Sequence, residues 1–261
     1  MRLLRLFGVF LRVSVMGEAA YPANFLAHLL DSALELAAAL AGLALIFAHT
    51  ATLGGWRPEE LGALVGVYFL VGGIIGLVIQ PGMEQLTESV RDGTLDFTLA
   101  KPEDSQLLVS IWRVEIWKLI DVGLGLVVLA VALARLGQRV GIVQALAFAA
   151  ALLAGGVIVY SFWLILATSA FWLVRVENIL VIFQSVYEAG RWPVSIYPGW
   201  LRFGLTFLVP VAFAITVPAQ ALAGRLTWRV LLGTAGFAVL LFGAARLFWR
   251  AGIRHYSGAS S

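Results

Sequence analysis

LGALVGVYFLVGGIIGLVIQ, residues 61–80, decides the fold class of this chain because it contains no charged side chain. A hydrocarbon core about 30 Å thick is crossed by about 20 apolar residues in a helix that rises about 1.5 Å per residue. The whole chain has a similar bias, with 61% hydrophobic and 13% charged residues, whereas soluble domains have roughly 45–50% and about 25%. Since lipid cannot satisfy open backbone groups, the sequence predicts an all-α membrane bundle.

Further apolar blocks on both sides of this stretch have the length of a membrane-spanning helix. They cover residues 25–48, 115–134, 142–174 and 228–249, and the third of them is long enough to tilt or to project beyond the bilayer. A polar stretch, residues 82–113, follows the second span. Residues 1–261 are therefore expected to form a single transmembrane domain.

One crossing, within residues 177–225, has two layouts. In the first, span five is 177–192, and 193–225 dips into the membrane from outside as short broken helices. In the second, span five is 201–222 and the preceding segment is cytoplasmic. Both layouts give six crossings with both termini on one side. Broken helices are favoured by the four prolines of this region, which remove backbone donors: Pro193, Pro198, Pro210 and Pro218.

Residues 1–20, MRLLRLFGVFLRVSVMGEAA, predict an amphipathic helix that lies on the inner membrane face. Arg2, Arg5 and Arg12 fall within one quadrant of a helical wheel, and Arg12 interrupts the apolar run that a signal peptide would need. Lys and Arg are modestly enriched in the segments assigned to the inside, mainly at the two ends of the chain. This bias predicts a multi-pass protein of the plasma (inner) membrane with both termini in the cytoplasm.

The sequence contains no recognisable catalytic site, so we expect a protein that is not an enzyme. It has no phosphate-binding loop of the type G-x-x-x-x-G-K-[ST] and no G-x-S-x-G elbow. His28, His49 and His255 are scattered, without metal-ligand spacing, and the chain has no cysteine. The net charge of +3 indicates membrane orientation rather than a nucleic-acid partner.

The polar stretch contains MEQLTESVRDGTLDFTLAKP, residues 83–102. Residues 83–92 predict a short polar helix that ends at Gly93, since glycine enters the left-handed region freely. Leu95, Phe97 and Leu99 then alternate with polar residues. The stretch is either a solvated loop or an element that docks into a soluble partner, because it is longer than a simple connector.

The run Arg91-Asp92-Gly93-Thr94-Leu95-Asp96, followed by Leu99-Ala100-Lys101-Pro102, resembles the inner-loop signature of type-2 ABC-transporter permeases, the exporter-type membrane subunits of ATP-binding-cassette systems. The likeness extends along the chain. The basic start is similar to the family's elbow helix. Residues 197–202, YPGWLR, with Pro210 and PAQAL at 218–222, are similar to its outer re-entrant segment, here 193–225.

This resemblance implies a pair of permease subunits, identical or homologous, that form the pathway and receive separate ATPase subunits. ATP and Mg would be bound by the ATPases, and no cofactor by this chain. The cytoplasmic loop would act as the coupling helix that transmits ATPase closure and switches the pathway. The residues carried over to this coupling role are Glu84, Glu88, Arg91, Asp92, Gly93, Leu95 and Asp96.

Span one carries a polar face, formed by Asn24, His28, Asp31 and Glu35, which lie within about 60° of one another on a helical wheel. Carboxylates inside a membrane span cost about 2.5–3.5 kcal/mol each on insertion scales. The face could therefore line a transport pathway or a proton-sensitive site. Alternatively, it forms a structural ion pair near the inner interface, for which Lys118 of span three is a candidate partner.

Two other patterns concern packing. Glu115, Lys118 and Asp121 are spaced so that they can pair along one helix face. Gly62, Gly66 and Gly73 share a face of span two, which permits a close helix contact, either within the subunit or at a dimer seam.

Two alternative functions remain open at the level of sequence. One is a proton-coupled secondary transporter that uses the Asp31/Glu35 face, although broken helices occur only in the second half of the chain. The other is a membrane-embedded enzyme that modifies lipids, for which no nucleophile, base or metal set is recognisable. The transported substrate, and whether the paired permease is identical, are not encoded in any motif of this chain.

Overall fold

A computed structural model describes Gly8, Met16 and residues 22–137, 141–173, 183 and 185–256. The predicted surface helix over residues 1–20, with Arg2, Arg5 and Arg12, lies outside the described residues except for Gly8 and Met16. Residues 177–182 and 184 of the predicted span 177–192 lie outside them as well. The described part of the chain is helical, and five of its helices are long and apolar enough to cross a membrane.

The first four helices begin and end within a few residues of the predicted spans, with one exception. Helix α1 is Pro22–Phe47, and α2 is Pro58–Arg91, which includes a π-helical turn at Ile75–Ile79. Helix α3 is Ile116–Leu136 and α4 is Ile142–Phe171. The exception is α2, which continues past the predicted end of span two through most of the short polar helix. The apolar span and the polar helix are therefore one element.

Two shorter helices, α5 (Gly199–Leu208) and α6 (Val211–Leu222), form a pair bent by 72°. The last helix is α7, Trp228–His255, which is longer than the predicted 228–249. Between α2 and α3 the polar stretch contains two short helical segments, Asp96–Leu99 and Ser105–Ser110. The alternation of Leu95, Phe97 and Leu99 therefore does not produce a strand, since this segment turns as a helix.

Helices α2 and α3 pack closely because glycines remove side chains from their contact. A Cβ atom on Gly66 would lie 2.8 Å from the backbone nitrogen of Leu129, and one on Gly125 would lie 2.5 Å from that of Leu70. Gly73 meets Val122 in the same way, and Gly62 faces Ala132. The glycine face of span two is thus confirmed as a contact within the subunit.

Helices α4 and α7 run parallel to each other and form the second half of the core. Gly252 near the end of α7 lies against Phe171 and Thr168 at the end of α4. Trp163 and Trp249 are among the largest fully buried side chains. The α6 side of the bent pair also packs on α4, where a Cβ on Gly155 would lie 2.7 Å from the carbonyl oxygen of Phe213.

The bent pair begins and ends at the same end of the bundle. Ser195, just before α5, donates a hydrogen bond from Oγ to the carbonyl oxygen of Gly54 at 3.4 Å. Arg225, just after α6, donates from Nη1 to the carbonyl oxygen of Gly55 at 2.8 Å. Because both flanks contact the 48–57 loop, the segment enters and leaves at that end, as the re-entrant layout expects. We refer to this as the 48–57 end and to the opposite one as the 92–115 end.

Glu60 fastens this arrangement at the first turn of α2. Its side chain is 2% exposed and accepts hydrogen bonds from the backbone nitrogen of Arg57 at 2.8 Å and from Nη2 of Arg225 at 2.6 Å. The guanidinium of Arg225 also lies 5.3 Å from the ring centroid of Trp56. A buried carboxylate needs such charged donors, so the start of α2 and the end of α6 are held to each other.

Candidate functional site

A polar cleft of about 260 Å³ lies inside the bundle, between α2, α3 and α4 and the segment that contains residues 183–188. Its walls combine polar, charged and aromatic side chains with three glycines of α2, against which Tyr187, Val122 and Lys118 pack. Its lining consists of Glu35, Tyr68, Phe69, Gly72, Gly73, Ile75, Gly76, Gln80, Lys118, Asp121, Trp163, Phe183, Tyr187 and Glu188.

One ion pair at the cleft joins α1 to the segment before α5. Arg191 donates from Nη2 to Oε1 of Glu35 at 2.6 Å, and the hydroxyl of Tyr68 donates to the same oxygen at 3.3 Å. The Arg191 guanidinium also lies 5.3 Å from the centroid of the Tyr68 ring. Glu35 is thus a cleft residue whose charge is balanced by Arg191.

A second ion pair lies on α3. Lys118 donates from Nζ to Oδ2 of Asp121 at 3.0 Å, and the hydroxyl of buried Ser32 donates to Oδ1. The predicted pairing along this face is confirmed for Lys118 and Asp121, while Glu115 pairs with Arg113 at 3.4 Å. Lys118 is therefore bonded to Asp121 and is not the partner of Glu35. Ser32 adds a link from α1 to α3 that sequence spacing did not indicate.

The other residues of the predicted polar face lie outside the cleft lining. The ring of His28 stacks on that of Trp117, with centroids 3.8 Å apart. Asn24 and Asp31 are exposed. The structure therefore brings only Glu35 of the four into the cleft, because the remaining three lie closer to the start of α1.

Sequence reasoning missed several cleft residues. Tyr187 donates its hydroxyl to the carbonyl oxygen of Tyr68 at 3.0 Å, and the two rings stack at 5.1 Å. Glu188 lines the cleft beside them. A usable signal was that Glu188 and Arg191 are charged residues within a predicted span, where such residues normally face a partner or a cavity.

The coupling residues lie at the 92–115 end, where α2 ends in a glycine turn. Gly93 has φ of 69°, in the left-handed region, as predicted. The backbone nitrogen of Thr94 donates to the carbonyl oxygen of Ser89 at 2.9 Å, and that of Gly93 to Val90 at 3.4 Å. These two hydrogen bonds together form a Schellman motif, which favours glycine at the left-handed position.

The side chains around this turn divide into exposed and supporting groups. Glu88, Arg91 and Asp92 are exposed, and Arg91 pairs with Asp92 at 3.1 Å. Glu84 accepts a hydrogen bond from Nε2 of Gln80 at 2.8 Å. Leu95 is 0% exposed, and Asp96, partly buried, begins the next helical turn. Phe97, not among the predicted coupling residues, is 75% exposed.

The polar stretch is fixed to α7 a few residues further on. Asp104 forms a two-point ion pair with Arg246, which also donates to Oε1 of Gln106 at 2.8 Å. Trp249 donates from Nε1 to the hydroxyl oxygen of Ser105 at 3.3 Å. The hydrogen bond from Arg246, more than the accompanying backbone donors, holds the pKa of Asp104 below its ordinary value of 3.8.

Within the described residues, no group of three His, Asp or Glu side chains could hold a metal ion. What the structure presents instead is a bundle of membrane-length helices, a polar cleft among them and a polar segment projecting at one end. These features define a polytopic membrane protein of the transport class.

Comparison with known families identifies the group within that class. The sequence model of the ABC-2 family transporter proteins matches residues 33–260, which is most of the chain. The chain therefore belongs to this family, and it is a permease component of an ABC transporter. No curated protein and no solved structure is significantly similar to it.

Proposed function

We propose that this permease works as one of two membrane subunits of an ATP-driven exporter, and that separate ATPase subunits drive it through residues 83–102. ATP and Mg are bound by the ATPases. Family membership supports the pairing with an ATPase, because an ABC permease carries no nucleotide site of its own. The plasma (inner) membrane holds the protein, with the 92–115 end and both termini facing the cytoplasm.

The observation that carries this proposal is the continuity of α2. The helix has 34 residues and is therefore about 50 Å long, whereas the hydrocarbon core is about 30 Å thick. The excess carries Arg91 and the Gly93 turn away from the apolar part of the bundle. Since the same helix presents Tyr68 and Gly72 to the cleft, a displacement of the turn is transmitted to the cleft wall.

The turn has the surface that a docking element needs. Glu88, Arg91 and Asp92 offer charges of both signs, and Phe97 offers an exposed aromatic ring. Leu95 is buried under the turn and holds it in place by packing. Aromatic residues and Arg are enriched in the centres of protein interfaces, so this surface fits a cleft on a soluble ATPase.

The proposal is tested by ATPase activity of the reconstituted permease–ATPase complex. Gly93→Pro removes the backbone donor to Val90 and cannot adopt a φ of 69°, and Arg91→Glu reverses a charge on the docking surface. We expect both to abolish transport-coupled ATPase stimulation while the permease still inserts. Arg254→Glu reverses an exposed charge at the same end of the bundle, on α7 and outside residues 83–102, and serves as the matched control.

Stimulation that stays at the wild-type level in both turn variants would overturn the coupling role of residues 83–102. If Arg254→Glu lost as much ATPase stimulation as the turn variants, the effect would be due to the total charge of this end and not to the turn.

A proton-coupled secondary transporter has no support from the geometry of Glu35, because Arg191 holds that carboxylate at 2.6 Å. Among the described residues, the cleft presents neither a metal-binding group nor a nucleophile–base pair for a lipid-modifying enzyme.

A further inference from the structure

The charges of the cleft do not cancel. Glu35 is paired with Arg191, and Asp121 is paired with Lys118. Glu188 also lines the cleft. Its side chain is exposed and lies close enough to Arg191 to interact with that charge, but it forms no hydrogen bond or ion pair with a described residue. With both pairs neutral, Glu188 leaves the cleft with one net negative charge.

Glu188 lies at the level of the middle of the apolar helices, with its side chain exposed in the cleft. Its neighbour Tyr187 bonds to the backbone of Tyr68, near the middle of the apolar part of α2, and Arg191 one turn later reaches Glu35 in the middle of α1. Ionisable groups at such depths normally face a wet cavity or an opposite charge. The open cleft provides the cavity. Arg191, whose charge acts on Glu188, is already paired with Glu35, so a further cation would balance the third carboxylate of the cleft.

The walls around this carboxylate are aromatic. Phe183 meets Trp163 edge-on with ring centroids 4.8 Å apart, and it lies 6.4 Å from Tyr187, whose ring in turn stacks on Tyr68. Phe69 completes the aromatic part of the lining. Aromatic faces attract cations, most strongly where water is excluded, and they also accept apolar groups by packing.

One buried donor on this wall has no partner. The indole Nε1 of Trp163, a fully buried residue, makes no hydrogen bond among the described residues. Buried polar groups in native proteins are nearly always satisfied by protein, water or ligand. The wall of the cleft is therefore incomplete by itself, as expected where a ligand or water completes it.

We infer that the cleft binds an amphipathic organic cation, with its positive group opposite Glu188 and its apolar groups on the aromatic walls. The inference rests on the proposed function, since such a ligand would be the molecule exported. It assigns to Glu188 the choice between cations and anions, and to the rings of Tyr187 and Phe183 the binding of the apolar part.

The test uses two ions of matched shape and opposite charge, tetraphenylphosphonium and tetraphenylborate. Equilibrium dialysis measures their binding to the full chain in lipid nanodiscs, and empty nanodiscs correct for partition into lipid. We expect saturable binding of tetraphenylphosphonium and no saturable binding of tetraphenylborate. Glu188→Gln, which keeps the shape of the side chain, should weaken tetraphenylphosphonium at least about tenfold, and Glu188→Asp should restore most of the affinity.

Glu59→Gln is the matched control, because it removes a carboxylate from the first turn of α2, outside the cleft, and should leave binding unchanged. Equal binding of the two ions, or unchanged affinity in Glu188→Gln, would overturn the inference. This readout needs no ATPase. If this binding test failed while Gly93→Pro and Arg91→Glu still abolished ATPase stimulation, the cation site would be rejected and the proposed coupling would stand.

Discussion

At the scale of single residues, glycine positions on one helix differ sharply in what they tolerate. Gly125 of α3 lies against the backbone of α2, whereas Gly123, two residues earlier, has nothing within 4 Å of an added Cβ. Two residues along a helix correspond to a rotation of about 200°, so one glycine serves helix packing and the other faces outward.

Gly125→Val should therefore destabilise the protein by about 1–3 kcal/mol, the usual cost of overpacking, and Gly123→Val should have little effect. The melting temperature of the purified protein in detergent measures the difference. Equal melting temperatures of the two variants would show that α2 and α3 are not in the close contact described.

The same scale shows what sequence reasoning could reach in the cleft. Glu35 was identifiable because an acidic residue in an apolar helix is conspicuous. Its pairing with Arg191 was not, since the two residues are separated by 156 positions and no periodic pattern connects them. Tyr68 and Tyr187 were equally hidden, because an aromatic residue in an apolar stretch has the same appearance whether it packs in a core or lines a cavity.

At the scale of elements, the ion pair of Asp104 with Arg246 joins the polar stretch to α7. Because the pKa of Asp104 is lowered by folding, the pair contributes its full stability above the ordinary value of 3.8 and loses it as the pH falls through the lowered pKa. The join therefore holds at neutral pH and is released only in strong acid.

Asp104→Asn should lower the melting temperature relative to wild type by a constant amount around neutral pH. The gap should shrink as the pH falls below about 3.8. Thermal melts of both proteins across pH 3–8 measure it. A gap that persists undiminished at the lowest pH would assign the effect to the helix cap that Asp104 provides to Gln106 and Leu107, rather than to its charge.

Elements were the level at which the sequence was most informative. Apolar length alone located α1, α3 and α4 closely, because each crosses the membrane as a regular helix. It failed to show that α2 runs on through residues 80–91, since the change from apolar to polar composition at Gln80 marks the membrane surface and not the end of the helix. The glycine turn, by contrast, was predictable from Gly93 alone.

At the scale of the whole molecule, the exposed polar residues of α1 bear on the proposed dimer. Asp31 is exposed within a helix that is long and apolar enough to span the membrane, and it has no hydrogen bond or ion pair among the described residues. A carboxylate facing lipid is unfavourable, so the proposed dimer would place this face on a partner permease or on the pathway between the two.

The absence of cysteine from the chain permits a direct test of that arrangement. Asp31→Cys should form a disulfide-linked dimer on mild oxidation in native membranes, visible as a doubled mass on a non-reducing gel. Val239→Cys, at a position of α7 that is 73% exposed, should remain monomeric. A dimer formed through Val239→Cys alone would move the seam to α7.

The bent pair of helices α5 and α6 also constrains how the protein is made. Its two arms are about 15 and 18 Å long, so neither reaches across a hydrocarbon core about 30 Å thick. An insertion machinery that recognises nascent spans by length would pass both arms through to the far side. They would then enter the bilayer from there, after α4 has been laid down to receive Phe213 and Ala214 at Gly155. The bent pair can therefore take its place only once α4 is present, and the contact of Arg225 with Glu60 then fixes its exit to the start of α2.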